Sequence, residues 1–238
     1  MDNFFLRSKH YLLFIPLILP TLLSFYFQVG YMEWMSELQK EMLANPGAPP
    51  PFDLSGLADY KGYFLLYLLI FALANFVQLG WWHTVSTKLQ GYLPTGTNLK
   101  PKRFSIAFTV ASAYVIIMLL LQYFAFDWFI EIGSDFFASI EADTPPDFLE
   151  DGFIGKFLLT IAGFIVLGFL GLAAMVYLAY YSGKTLRCIE QQKPLQGSAV
   201  AGYTILSYFL LIGIWVFQPK VQRLLDTGQM KDPAEEVW

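Results

Sequence analysis

Residues 157–181 read FLLTIAGFIVLGFLGLAAMVYLAYY. These 25 positions hold no acid, lysine, arginine or histidine, and a bilayer core about 30 Å thick is crossed by about 20 apolar residues in a helix. The stretch therefore predicts a transmembrane helix. Working outward, three more runs meet the same condition: 11–32, 62–82 and 104–126. Helix is the form expected for all four. An unpaired backbone group costs too much in lipid for an open strand, and the runs lack the alternation of a barrel.

Composition agrees. Apolar residues make up 56% of the 238 positions and charged residues 14%, with a mean hydropathy of +0.49; a water-soluble domain has about 45–50% and about 25%. The net charge of −4 conceals charged blocks whose sign changes along the chain. Cys188 is the single cysteine, which rules out an internal disulfide and a CxxC site. Arg7 and Lys9 before the first run resemble the start of a signal peptide, but the run is too long and lacks a small-residue cleavage site, so an uncleaved anchor is expected.

Lysine and arginine are retained on the cytoplasmic side during insertion. Arg7, Lys9, Lys88, Lys100, Lys102, Arg103, Lys184, Arg187 and Lys193 fall at one set of span ends. The opposite loops, 33–61 and 127–156, carry only Lys40, Lys61 and Lys156 against five and eight acids. The N-terminus is thus expected inside, in a bacterial cytoplasmic membrane, with both acidic loops outside. Trp81, Trp82, Tyr180 and Tyr181 then mark the inner boundary, and Tyr31, Trp34, Tyr63, Tyr123 and Trp128 the outer one.

A further apolar segment, 199–217, leaves two readings open. It spans as a fifth helix, or it re-enters or lies on the interface with the tail inside. The second is favoured: a tail inside gives 12 basic residues against three, a tail outside nine against six. Gly197, Ser198, Gly202 and Thr204 weaken its first half, and Gly202 and Gly213 offer backbone freedom for a bend.

Shifted by 94 to 96 residues, the chain matches itself. Gln28 meets Gln122, Trp34 meets Trp128, Pro50-Pro51 meets Pro145-Pro146, Lys61 meets Lys156, and Ser86-Thr87-Lys88 meets Ser182-Gly183-Lys184. The expected fold is an all-α integral membrane protein in a single membrane domain. Two tandem helical hairpins, about 1–98 and 99–196, form a four-helix transmembrane bundle as a parallel repeat, followed by the apolar segment and tail 197–238. Any two adjacent hairpins share the same charge rhythm, which is the competing explanation of the match. Helical spacing of Trp34, Met35, Leu38 and Met42, and of Phe129, Ile132, Phe136 and Ile140, predicts that the first and third helices continue outward or that these segments lie on the interface. Pro16 and Pro20 predict a kink in the first.

No acid or base lies within the four spans, which argues against a proton-coupled path through this chain. Gln28, Asn75, Gln78 and Gln122 are read as interhelical hydrogen-bonding groups, and Gly163, Gly171 and Ala174 as a small-residue packing face. His10 and His83, at the inner ends of neighbouring helices, are the candidates for a haem or quinone, though histidine is also an ordinary boundary residue. The outer acids Asp147, Glu150 and Asp151 lack the spacing of an EF-hand. HExxH, a nucleophile elbow and a P-loop are absent from the sequence. No catalytic residue, metal or cofactor is expected, and no nucleic-acid partner.

Leu93-Pro94-x-Gly96-x-x-Leu99-Lys100-x-x-x-Phe104 and Ile212-Gly213-Ile214-Trp215-Val216-Phe217-Gln218-Pro219-Lys220 resemble segments of small, uncharacterised bacterial multi-span membrane proteins. The resemblance covers about a third of the chain and implies no activity, only a short terminal apolar part followed by a basic tail. The leading expectation is a non-enzymatic membrane subunit or scaffold, in contact with lipid and other membrane subunits. A transporter or lipid-handling protein is the alternative, and a haem or quinone protein the third.

Overall fold

The computed structural model describes residues 4–44, 61–142 and 153–231. Its helices are α1 (Phe4–Arg7), α2 (His10–Ala44), α3 (Lys61–Lys88), α4 (Pro101–Ala142), α5 (Phe153–Gln191), α6 (Ala201–Tyr208) and α7 (Leu210–Thr227). Among the described residues there is no strand. The protein is an all-α membrane bundle. Candidate spans are His10–Gly30, Lys61–Tyr92, Pro101–Asp135 and Leu158–Gln191, each containing one of the four uncharged runs, apart from the last two residues of 11–32 and the first of 157–181.

Length follows from pattern. At about 1.5 Å per residue, the 35 residues of α2 and 42 of α4 measure about 52 and 63 Å, well beyond a bilayer core. Both continue unbroken past the uncharged runs through the segments of helical spacing, and Pro16 and Pro20 lie inside α2. The proline breaks at 49–51 and 145–146, and Asp147, Glu150 and Asp151, lie outside the described residues.

The chain divides into two compact units. One comprises Pro20–Phe71 and Ile116–Leu167. Within it Phe64 stacks on Phe126 at 4.5 Å between ring centres, and Lys61 reaches Asp127 at 2.7 Å. That ion pair is about half exposed, so it adds little stability. The other unit comprises Met1–Leu19, Ala72–Val115 and Gly168–Trp238.

In this second unit the C-terminal apolar segment turns back on itself. The 3-10 turn Gly197–Val200 leads into α6, and the chain from Gly197 to Tyr208 meets α7 at 111°. Phe209 carries the bend, with φ −86° and ψ 61°, and its N–H closes α6 onto the Ile205 carbonyl at 2.9 Å. Gly213 contributes space. A Cβ there would collide with the backbone carbonyl of Leu206, while one at Gly202 would meet nothing within 4 Å. The expected bend is present, but neither glycine acts as its hinge. α7 ends at Gly228, whose left-handed φ of 74° lets its N–H cap the Leu224 carbonyl.

Candidate functional site

The fold-back brings the end of α7 onto the beginning of the chain. Four-residue α1 is too short to satisfy its own last carbonyls, and Gln218 supplies the partner. Its Nε2 donates towards the carbonyls of Phe5, Leu6 and Ser8 at 2.8, 3.0 and 2.8 Å, and Gln222 donates to Ser8 at 2.8 Å. The Gln218 Oε1 accepts Trp81 Nε1–H at 3.0 Å. Gln218 is fully buried, so both ends of its amide are matched where water cannot substitute.

Trp82 performs the same task one residue on. Its Nε1–H meets the backbone carbonyl and the hydroxyl of Ser207, both at 3.1 Å. Trp81, Trp82 and Tyr181, expected as boundary rings, are instead enclosed by protein. The reason is the hairpin itself, which covers the C-terminal ends of α3 and α5 with α6 and α7. Phe217 stacks 5.9 Å from Trp81. On the other side, Gly183 sits where a Cβ would come within 2.7 Å of the Tyr203–Thr204 backbone.

A charged cluster fastens the base of the hairpin to α5. Glu190, with 6% of its side chain exposed, pairs with Arg187 and Lys220, each at 2.5 Å. Lys220 also donates to the Tyr203 hydroxyl at 3.1 Å, and the Arg187 guanidinium lies 5.0 Å from the Tyr203 ring centre. With two cations on its oxygens, this carboxylate is held as an anion. Its role is a structural tie rather than that of a proton acceptor.

The residues singled out from sequence are dispersed. Gln78 donates to the Tyr208 carbonyl at 3.2 Å, an interhelical bond to the hairpin, and Asn75 is buried. Gln28 is exposed and Gln122 half-buried. Gly171 receives the Tyr114 ring where a Cβ would stand and Ala174 is buried, but Gly163 is exposed with nothing within 4 Å of a Cβ. His10 packs on Trp215 at 4.3 Å and His83 on Phe108 at 4.8 Å, so each imidazole has its own aromatic neighbour. Cys188 is buried and accepts the Leu195 N–H at 3.3 Å. Among the described residues no group of three or more histidines, cysteines or acids is placed to hold a metal ion.

Sequence reasoning missed Gln218, Ser207 and Glu190. A signal existed for the last: Glu190 is an acid set among Lys184, Arg187 and Lys193, three residues from Arg187 on a helix. Gln218 offered less, since a glutamine after an apolar run reads as an exit from the membrane. Comparison with family models, curated proteins and solved structures finds no match to this chain.

Proposed function

We propose that the chain is a non-enzymatic subunit or scaffold of a membrane-protein complex in the bacterial cytoplasmic membrane, with both the N-terminus and the tail inside. One observation carries the reading: buried Gln218 ties Trp81 to the backbone of Phe5, Leu6 and Ser8, and buried Glu190 ties Arg187 to Lys220. Such bonding makes a fixed platform, which suits docking better than turnover. Purification of the tagged full-length protein in a mild detergent is expected to bring one or more proteins at constant stoichiometry. Elution as a lone, monodisperse chain at native expression would contradict the assignment.

The orientation rests on the distribution of lysine and arginine. Ser36 and Ser134 are exposed on the outward extensions of α2 and α4. In a Cys188→Ser background, Ser36→Cys and Ser134→Cys should each react with an impermeant maleimide in intact spheroplasts. Protection of both until lysis would invert the topology.

A parallel repeat is supported by one contact. Ser86 and Ser182, matched by the 96-residue shift, meet hydroxyl to hydroxyl at 3.0 Å, as equivalent residues beside a twofold axis along the membrane normal would. The alternative, a transporter or lipid-handling protein, is favoured by a pocket lined by Lys100, Arg103 and Lys184.

A further inference from the structure

We propose that a pocket within the unit containing α6 and α7 binds a phosphate group, carried by a phospholipid headgroup or by a small soluble phosphate ester. The inference does not depend on the subunit reading. The pocket, about 210 Å³, is lined by Lys100, Arg103 and Lys184 and by Tyr177, Tyr180 and Tyr181. No acid lines it. The volume is below the roughly 300–1,000 Å³ usual for drug-sized ligands and suits a headgroup-sized anion.

Lys100 and Arg103 by themselves are explained by the inward bias of positive charge. Lys184 is not. It is 5% exposed, and its ammonium meets only neutral groups: the Asn98 carbonyl at 3.2 Å and the Tyr180 ring at 5.7 Å from its centre. Burying a cation is costly unless an anion stands beside it. Among the described residues, Lys61, Arg187 and Lys220 form ion pairs, whereas none of the three pocket cations does. Tyr177, Tyr180 and Tyr181 add aromatic walls to the same pocket.

Backbone geometry adds to the same field. α4 begins at Pro101, between Lys100 and Arg103, and its first ladder bond runs from Phe104 N–H to the Lys100 carbonyl at 3.1 Å. The preceding amides of this long helix therefore lie at its positive end, where anions are favoured. A fork from arginine, two ammonium groups and a helix N-terminus together match the several acceptor oxygens of a phosphate.

Titration of the full-length protein in maltoside detergent tests this, with dioctanoyl phosphatidic acid, glycerol 1-phosphate, inorganic phosphate and dioctanoylglycerol as probes. A phosphate-bearing probe should bind, and dioctanoylglycerol should not. Arg103→Gln and Lys100→Gln, both at exposed side chains, and Lys184→Gln should each weaken binding by about tenfold. Lys102→Gln, adjacent but outside the lining, should change it less than about twofold. Binding of the lipid alone assigns the headgroup, while comparable binding of the two soluble probes assigns a soluble phosphate. The proposal is overturned if no phosphate-bearing probe exceeds dioctanoylglycerol. It is also overturned if the folded pocket variants bind like the parent, or if Lys102→Gln weakens binding as much as Arg103→Gln.

Discussion

Leucine at position 218 is expected to release the N-terminus from the tail and to lower stability by at least about 3 kcal/mol. The substitution keeps the side chain's approximate volume but leaves the Trp81 N–H and the carbonyls of Phe5 and Leu6 facing an apolar group, while the Ser8 carbonyl keeps Gln222. A buried polar group that loses its partner costs about 1–3 kcal/mol, and several lose theirs at once. Trp81→Phe removes only one of these bonds and should cost about 1 kcal/mol. Combined with Gln218→Leu it should add less than its separate effect, because both act on one network. Unfolding in detergent measures the energies. A thiol introduced by Ser8→Cys in the Cys188→Ser background reports the release, since Ser8 is 8% exposed in the intact fold. Equal stability and an unreactive thiol in the Gln218→Leu protein would remove Gln218 from its assigned role.

Valine at position 213 should act on the hairpin from the other side. Any Cβ there meets the Leu206 carbonyl, and that carbonyl belongs to backbone already committed to α6, so neither partner can yield cheaply. Overpacking of this kind costs about 1–3 kcal/mol or more, and the strain is relieved only by opening the 111° bend. The expected result is a loss of at least about 3 kcal/mol together with exposure of Trp82, whose N–H then loses Ser207. Gly202→Ala, at a site with nothing within 4 Å, is the matched control and should be neutral or slightly stabilising. A stable Gly213→Val protein with quenching-resistant tryptophan would refute the close approach.

These two sites show where sequence was sufficient and where it was not. The four spans were legible because lipid imposes a one-dimensional condition, an uncharged run of sufficient length, which 157–181 meets without reference to any other part of the chain. The extension of α2 and α4 beyond the uncharged runs was legible for a similar local reason, the helical recurrence of Trp34, Leu38 and Met42 and of Ile132 and Phe136. The fold-back was half legible. Its polar first half and basic tail pointed to it, yet the bend falls at Phe209, which no propensity marks. The burial of Trp81 and Trp82 could not be read at all, since a tryptophan at a span end has the same local pattern whether lipid or a returning helix covers it. Lys100, Arg103 and Lys184 illustrate the same limit. As a sequence they are topology signals, and only their convergence on one pocket with Tyr181 gives them a second meaning.

The central claim is that the C-terminal segment returns to the side from which the chain starts. The most direct measurement is a pair of compartment-specific reporters on the otherwise intact protein, one before Met1 and one after Trp238, expressed near native levels. The account predicts that both report the cytoplasm, with a C-terminal alkaline phosphatase inactive and a C-terminal fluorescent protein bright. Active phosphatase after Trp238, with the N-terminal reporter still cytoplasmic, would make 199–217 a fifth span and contradict it.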